Sequence, residues 1–321
     1  MNLFSMIFPG QGIQKKGMLT AELVNHPIIV KTFNESSCAL GYDVLKLIKN
    51  DTKKKLNKSE FAQPAILTVS VAIYRLWIYK QGPLPFMMAG HSLGEYSALV
   101  CSNVIQLYDA VKLVQFRGKL MQRLVHHIPV AMLAIIGLNK EQIINICKIH
   151  KKNSIVDLSN FNSLDHIVIS GHKEAVERTG TYCKKAGAKY VLPLAISTAA
   201  HCSLMHPAKK KLMNALKNIQ FNTPICPIVN NADVKCEFSK RNICNALTKQ
   251  LTKPVRWHES IEYMVKKGVS LILEVGPTSI LTNINKRNIF LESISLHNKK
   301  NFLKALKLIK TKNMKIKKKL Q

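Results

Sequence analysis

The chain has 321 residues, 47% of them hydrophobic, enough to bury one large core or two unequal ones, and its composition excludes a collagen, a coiled coil and a disordered polymer. The formal net charge of +30 is carried by lysines spread along the chain and densest in the terminal run KLIKTKNMKIKKKLQ. No basic element is interleaved with aromatics, so the charge argues against nucleic acid and for a surface that would draw an acidic or phosphate-bearing partner. The eight cysteines show no two-residue spacing and the eleven histidines no i, i+4 pair beside a carboxylate, so no metal site is expected.

In chain order, MNLFSMIFPGQG opens with an apolar run that lacks a basic lead and breaks at Pro9-Gly10, which predicts a buried first strand over residues 3–8 and a turn rather than a secretion signal. No apolar stretch approaches the roughly 18 residues of a membrane span, so a cytoplasmic protein is expected. Apolar residues at 66, 69, 73, 76 and 77 predict a helix that starts at Pro64 and is stopped by Gly82-Pro83. The apolar run 84–89 leads to a serine-centred turn, and a helix follows from about Glu95. This alternation predicts a mainly parallel sheet with helices on its faces.

Residues 130–194 read as strand VAMLAII, a helix near 139–150, strands SIVDLSN and HIVIS around the turn FNSLD, a helix near 172–186, and strand KYVLPL. That order is the split βαβ, ferredoxin-like unit. After residue 197 the α/β pattern resumes, with a helix near 202–218, strand CPIVNN, helices near 239–251 and 258–267, and strand LILEV ending at Gly276-Pro277. The expected architecture is α/β: a large α/β-hydrolase-like unit from residues 1–127 and 197–321, with a small ferredoxin-like unit, residues 128–196, inserted into it.

The stretch MMAGHSLGEYSALV places Ser92 between Gly90 and Gly94. A strand that turns sharply into a helix strains the turn residue and crowds its neighbours, and glycines two positions away on each side relieve that crowding. Ser92 Oγ is then held clear of the backbone, and the first N–H groups of the helix, Leu93 foremost, point at whatever it attacks. Losing one such donor from an acyl-transfer site costs roughly 2.7–4 kcal/mol. The competing reading is a glycine-rich turn with a solvent-facing serine. A serine nucleophile needs a base. His91 is adjacent but points elsewhere in such a turn and reads as packing, His206 and His258 read as surface or packing, and His201 follows the small residues STAA and opens a helix. Arg117 lies in the helix pattern AVKLVQFRGKLM, otherwise apolar on one face, where a charge is costly unless paired. The plain reading is half of a structural ion pair.

FPGQG (Phe8 to Gly12), GHSLGEYSAL (Gly90 to Leu99), RGKLMQ (Arg117 to Gln122), HCSLM (His201 to Met205) and EVGP (Glu274 to Pro277) stand in register over nearly the whole chain, to about residue 290. In these motifs the chain resembles the malonyl-CoA:acyl-carrier-protein transacylases of bacterial fatty-acid synthesis. The resemblance implies Ser92 as nucleophile, His201 as base with its second ring nitrogen held by a backbone carbonyl near Gln250, and Arg117 as a bidentate clamp on a malonyl carboxylate. It implies Gln11 and Leu93 as the two oxyanion N–H groups. The reaction would be ping-pong through a malonyl-serine, between malonyl-CoA and the phosphopantetheine thiol of acyl carrier protein, in a monomer that needs no cofactor, no metal, no membrane and no nucleic acid. Ile13, Pro129, Ala200 and Thr278 depart from the family's usual residues, none of them a group that does chemistry. An esterase of the α/β-hydrolase type would instead need an acid such as Asp157 or Asp165 beside the histidine. An inactive scaffold that binds carrier protein would not need the four functional groups intact.

Overall fold

The computed structural model describes residues 3–196, 198–286 and 291–320, with 312–320 by backbone alone. In chain order the strands are β1 (Leu3–Phe8), β2 (Met87–Gly90), β3 (Val130–Ile136), β4 (Val156–Phe161), β5 (His166–His172), β6 (Tyr190–Pro193), β7 (Ile228–Val229), β8 (Val269–Glu274) and β9 (Glu292–Ser295). The first apolar run becomes the centre of a five-stranded sheet of order β7-β2-β1-β8-β9, every pairing parallel. Strands covered on both faces must be apolar throughout, and Met6, Ile7 and Phe8 are fully buried. Because all five strands run the same way, their C-terminal ends share one edge. The turns after β1, β2, β7 and β8 meet there, where parallel sheets bind their ligands.

β3 to β6 form a second, antiparallel sheet of order β4-β5-β3-β6. With its two helices it reproduces the ferredoxin-like order read from the sequence. Alternation decides its faces. Leu133, Ile135, Ile167 and Ile169 pack under α7 (Lys140–His150) and α8 (Lys173–Lys185), while Met132, Ala134 and Val168 join the core of the large sheet. Asn139 and Gln142 form a capping box that starts α7 where the pattern predicts. The boundary at residue 197 falls outside the described residues.

The remaining helices are α1 (Ala21–Val24), α2 (Pro27–Leu40), α3 (Val44–Asn50), α4 (Ser59–Tyr79), α5 (Gly94–Cys101), α6 (Leu107–Leu124), α9 (Ala208–Lys217), α10 (Lys240–Gln250), α11 (Trp257–Lys266), α12 (Ile280–Lys286) and α13 (Lys299–Leu320). Several differ from the sequence expectation. α4 starts at Ser59 and carries Pro64 inside it, since a proline near the start removes a single backbone bond. α4 is also long and apolar enough to cross a membrane (21 residues, mean hydropathy 1.4), against the expectation that no stretch reaches that length. However, 83% of that window is buried inside the protein, where it packs along α2, α5 and α6. The helix expected over 202–218 is a 3-10 turn, Ser203–Met205, and then α9, because Pro207 restarts the chain. His201 therefore lies on a strap ahead of the helix rather than opening it. CPIVNN contributes only Ile228 and Val229 as strand, its Asn230 and Asn231 continuing into a turn. α1 to α3, α12, α13 and β9 carry no motif, and the sequence reading did not mark them.

Candidate active site

Ser92 sits at φ 52°, the left-handed backbone that the strand-to-helix corner imposes. The flanking glycines are there for space. A Cβ on Gly90 would stand 1.8 Å from the carbonyl carbon of Gly94, and one on Gly94 would stand 2.0 Å from the carbonyl oxygen of Phe8. Both obstacles are backbone and cannot swing away. Gly90→Ala is therefore expected to destabilise the fold by at least about 3 kcal/mol in denaturant unfolding. The peptide groups of Ser92 are held on both sides: its N–H donates to Asn231 Oδ1 (2.7 Å), and its carbonyl accepts from Gln250 Nε2 (3.0 Å).

His201 reaches this corner from the strap before α9. Its Nε2 lies 2.7 Å from Ser92 Oγ and its Nδ1 lies 2.7 Å from the backbone carbonyl of Gln250. A carbonyl can only accept, so the network assigns the proton to Nδ1 and leaves Nε2 free to take one from the serine. Burial, and the positive Arg117 beside it, push the imidazole down to about 3. It is therefore neutral over the physiological range. Only the neutral ring is a base, so the acid limb of kcat/KM should lie below about pH 5 instead of at the ordinary 6.5. Rates of Ser92 acylation from pH 8 down to 5 check this, and halving at 6.5 would contradict the burial described.

Arg117 is 2% exposed. Its Nη1 donates to Gln63 Oε1 (2.9 Å), and its Nη2 to Gln250 Oε1 (3.1 Å) and Ser92 Oγ (3.2 Å). The guanidinium carbon is 5.4 Å from the Tyr96 ring centroid. All of these partners are neutral. No carboxylate among the described residues is within ion-pair distance of Arg117. Burial lowers its pKa against the opposing pull of Tyr96 and Glu95. Glu95 is buried close by, but its Oε2 accepts from Asn231 N–H (2.9 Å) and Gln250 Nε2 (2.8 Å). Burial raises the Glu95 carboxyl to about 7. The structural ion-pair reading of Arg117 fails; what the site offers is a buried guanidinium short of an anion.

The turn after β1 abuts the serine corner, with His91 N–H donating to Phe8 O (2.9 Å). A Cβ on Gly10 would meet His91 O at 2.6 Å, so only glycine allows the two turns to approach this closely. Gln11 turns its side chain into the protein, donating to Ser59 Oγ (2.9 Å) and accepting from Gln63 Nε2 (3.3 Å). The backbone N–H groups of Gln11 and Leu93 have no acceptor among the described residues. Gln11, Ser92, Arg117 and His201 share one cavity of about 220 Å³, walled by apolar groups that include Met121 and Met132.

His91 packs against Trp257 (centroids 5.5 Å apart) and sets its Nε2 2.9 Å from Asn162 Oδ1. His206 is exposed, and His258 pairs with Glu262 (3.4 Å) outside the cavity. Asp157 bonds to Ser203 and Asp165 to Ser163, so neither supplies an acid to His201. Of the family departures, Ile13 and Ala200 line the cavity and Pro129 and Thr278 do not. No group of three His, Cys, Asp or Glu is placed to hold a metal among the described residues, and all eight cysteines are free. The sequence reading missed Gln63, Glu95 and Asn231. Gln63 shows the same signal as Arg117, a polar residue on a buried apolar helix face, and Asn231 stands at the C-terminal end of a parallel strand.

Residues 5–300 match the acyl transferase domain family. The chain is 51% identical over 287 residues to the malonyl CoA-acyl carrier protein transacylase of Escherichia coli (strain K12), covering 89% of this chain and 93% of the relative. It is 49% identical to that of Haemophilus influenzae, covering 94% and 97%. Among solved structures, a type II PKS acyl-carrier protein in complex with its malonyl-transacylase matches at TM-score 0.93 and 47% identity, over 95% of this chain and 99% of that one. The Coxiella burnetii malonyl CoA-acyl carrier protein transacylase matches at TM-score 0.93 and 41% identity, over 95% and 97%. With its serine corner, imidazole and guanidinium gathered in one cavity, this chain belongs to the acyl transferase domain family, among its malonyl CoA-acyl carrier protein transacylases.

Proposed function

We infer that the protein transfers the malonyl group of malonyl-CoA to the phosphopantetheine thiol of acyl carrier protein, the step that feeds fatty-acid chain elongation. One observation carries the reading. A buried guanidinium without a carboxylate partner lies 3.2 Å from the Ser92 hydroxyl. A thioester that also ends in a carboxylate satisfies both groups at once; an acetyl thioester satisfies only one. Arg presents two parallel N–H donors to such a carboxylate, a fixed geometry that orients as well as attracts.

In the first half-reaction Ser92 gives its proton to His201 Nε2 as Oγ bonds to the thioester carbonyl carbon. The negative charge on the carbonyl oxygen is met by the N–H groups of Gln11 and Leu93. The carbon–sulfur bond then breaks, and coenzyme A leaves as a thiol after taking the proton from His201. In the second half the carrier's thiol passes its proton to His201, its sulfur attacks the malonyl ester, and Ser92 recovers its proton. Charge couples the two ends of the site. Burial first and Arg117 second depress the imidazole, so a carboxylate on Arg117 offsets the second of these and strengthens the base once the correct acyl group is present. No group beyond protein and substrates is required, and we place the reaction in the cytoplasm, in a monomer. The acidic carrier finds a basic surface to meet.

The test is to mix the purified protein with malonyl-CoA or acetyl-CoA and weigh it intact. A malonyl adduct on Ser92, formed in strong preference to acetyl, is the expected result. Equal uptake of acetyl, or hydrolysis of simple esters without an adduct, overturns the assignment.

A further inference from the structure

His201 is held at φ 59°. A left-handed backbone is strained for any residue other than glycine and persists only where its surroundings over-determine it. Neither helix nor strand contains it. The surroundings that hold it belong to the small sheet. On one side of His201, Ala200 O accepts from Ser159 Oγ (3.1 Å), a fully buried hydroxyl whose proton is shared with Asn160 Oδ1 (2.9 Å). On the other side, Asp157 Oδ2 accepts from both the N–H (2.7 Å) and the Oγ (2.6 Å) of Ser203. The β4–β5 pairing is irregular between Leu158 and Asn160, which leaves Ser159 out of the register, and both Asp157 and Ser159 reach the strap from this strand. A neutral bond just before the imidazole and two charge-assisted ones just after it therefore grip the strap.

β4 is an edge strand, and its free backbone is also engaged. Val255 N–H donates to Ser159 O (2.9 Å) and Phe161 N–H donates to Val255 O (2.8 Å). Val255 follows α10, whose last residue, Gln250, provides the carbonyl that holds His201 Nδ1. One strand thus binds both the segment bearing the imidazole and the segment bearing its orienting carbonyl.

We propose that β4 is a positioning element for the general base, with Asp157 and Ser159 clamping the His201 strap in its left-handed conformation so that Nε2 stays on Ser92 Oγ. The proposal rests on the transfer reaction above and gives the small sheet a part in it. Asp157, an alternative candidate for the acid of a hydrolase, acts here on backbone geometry and not on the ring. A loosened strap lets the imidazole drift, and a displacement near 1 Å costs up to about 100-fold in rate.

The experiment measures single-turnover acylation of Ser92 by malonyl-CoA, read by quenched intact mass, together with steady-state kcat and KM and thermal unfolding. Asp157→Ala and Ser159→Ala are compared with Asp157→Asn, which keeps an oxygen able to accept from Ser203. The expected result for Asp157→Ala is an acylation rate and kcat lowered roughly 10- to 100-fold, malonyl-CoA KM within about twofold, and full final adduct stoichiometry. Ser159→Ala, a smaller and isosteric change, should show the same pattern at lesser amplitude. Asp157→Asn should recover most of the rate. Wild-type acylation rates in both alanine variants overturn the proposal. So does a loss that appears as reduced adduct amplitude at an unchanged rate constant, because that reports a misfolded fraction. Should Asp157→Ala fail to fold, Ser159→Ala alone decides by the same criteria. A wild-type chain that takes up no malonyl group sinks the transfer reading instead, an outcome that the wild-type arm reports separately.

Discussion

Ser92→Ala is expected to remain folded, to take up no malonyl group, and to lose at least about 10⁴-fold in turnover, the scale seen when a serine nucleophile is removed from a working constellation. The serine is the group to which both functional neighbours converge, His201 at 2.7 Å and Arg117 at 3.2 Å. The cavity holds a second hydroxyl, that of Thr198, but it is buried without a hydrogen-bond partner, so no base activates it. Losing the Ser92 hydroxyl leaves Arg117 bonded to Gln63 and Gln250 and the backbone corner bonded to Asn231 and Gln250, so the melting temperature should move by no more than a few degrees. Intact mass after incubation with malonyl-CoA and a thermal melt are the two measurements. An adduct on the variant would move the nucleophile elsewhere.

Arg117→Ala is expected to lower kcat/KM for malonyl-CoA roughly 10²- to 10³-fold, about 3–4 kcal/mol, the cost of stranding one partner of a buried, hydrogen-bonded charge pair. Activity with acetyl-CoA should change far less, so the preference between the two thioesters collapses. Arg117→Lys should not restore it, since a point charge on a flexible stem does not reproduce the planar fork. The free protein should lose little stability, which its melt checks directly. Its guanidinium has no carboxylate within ion-pair distance among the described residues, so removing the buried charge relieves a desolvation cost that offsets what Gln63 and Gln250 lose with their donor. Were Arg117 half of a structural ion pair, the same substitution would destabilise the fold and leave the substrate preference alone.

What could be read from the chain, and what could not, follows from the range of the forces involved. The serine corner is a local steric problem, and its solution, glycines at 90 and 94, is written within five residues. Arg117 announces itself because one charge on an apolar helix face must be answered by something. Gln250 emerged only through family resemblance, and its side chain does more than the expected carbonyl: it touches Ser92, Glu95 and Arg117 while the backbone holds His201. The platform of Glu95, Asn231 and Gln250 joins positions 136 and 155 residues apart, and no periodicity encodes a contact at that distance. His201 was misplaced at the head of a helix because Pro207 interrupts a pattern that is otherwise helical. The α1 to α3 region was passed over although α2 buries Ile29, Phe33 and Ala39 along one face; its stripe mixes in the polar Thr32 and Ser36, which dilutes the apolar periodicity.

The left-handed backbone at Ser92 restricts which atoms this protein can put to work. A side chain branched at Cβ is penalised in that region, so threonine, the other natural alcohol able to attack a thioester, is shut out by shape before its reactivity matters. Cysteine, unbranched like serine, fits the same corner. Among serine, threonine and cysteine the turn therefore leaves two, and of those two only the oxygen one leaves an oxygen ester for the incoming thiol to open.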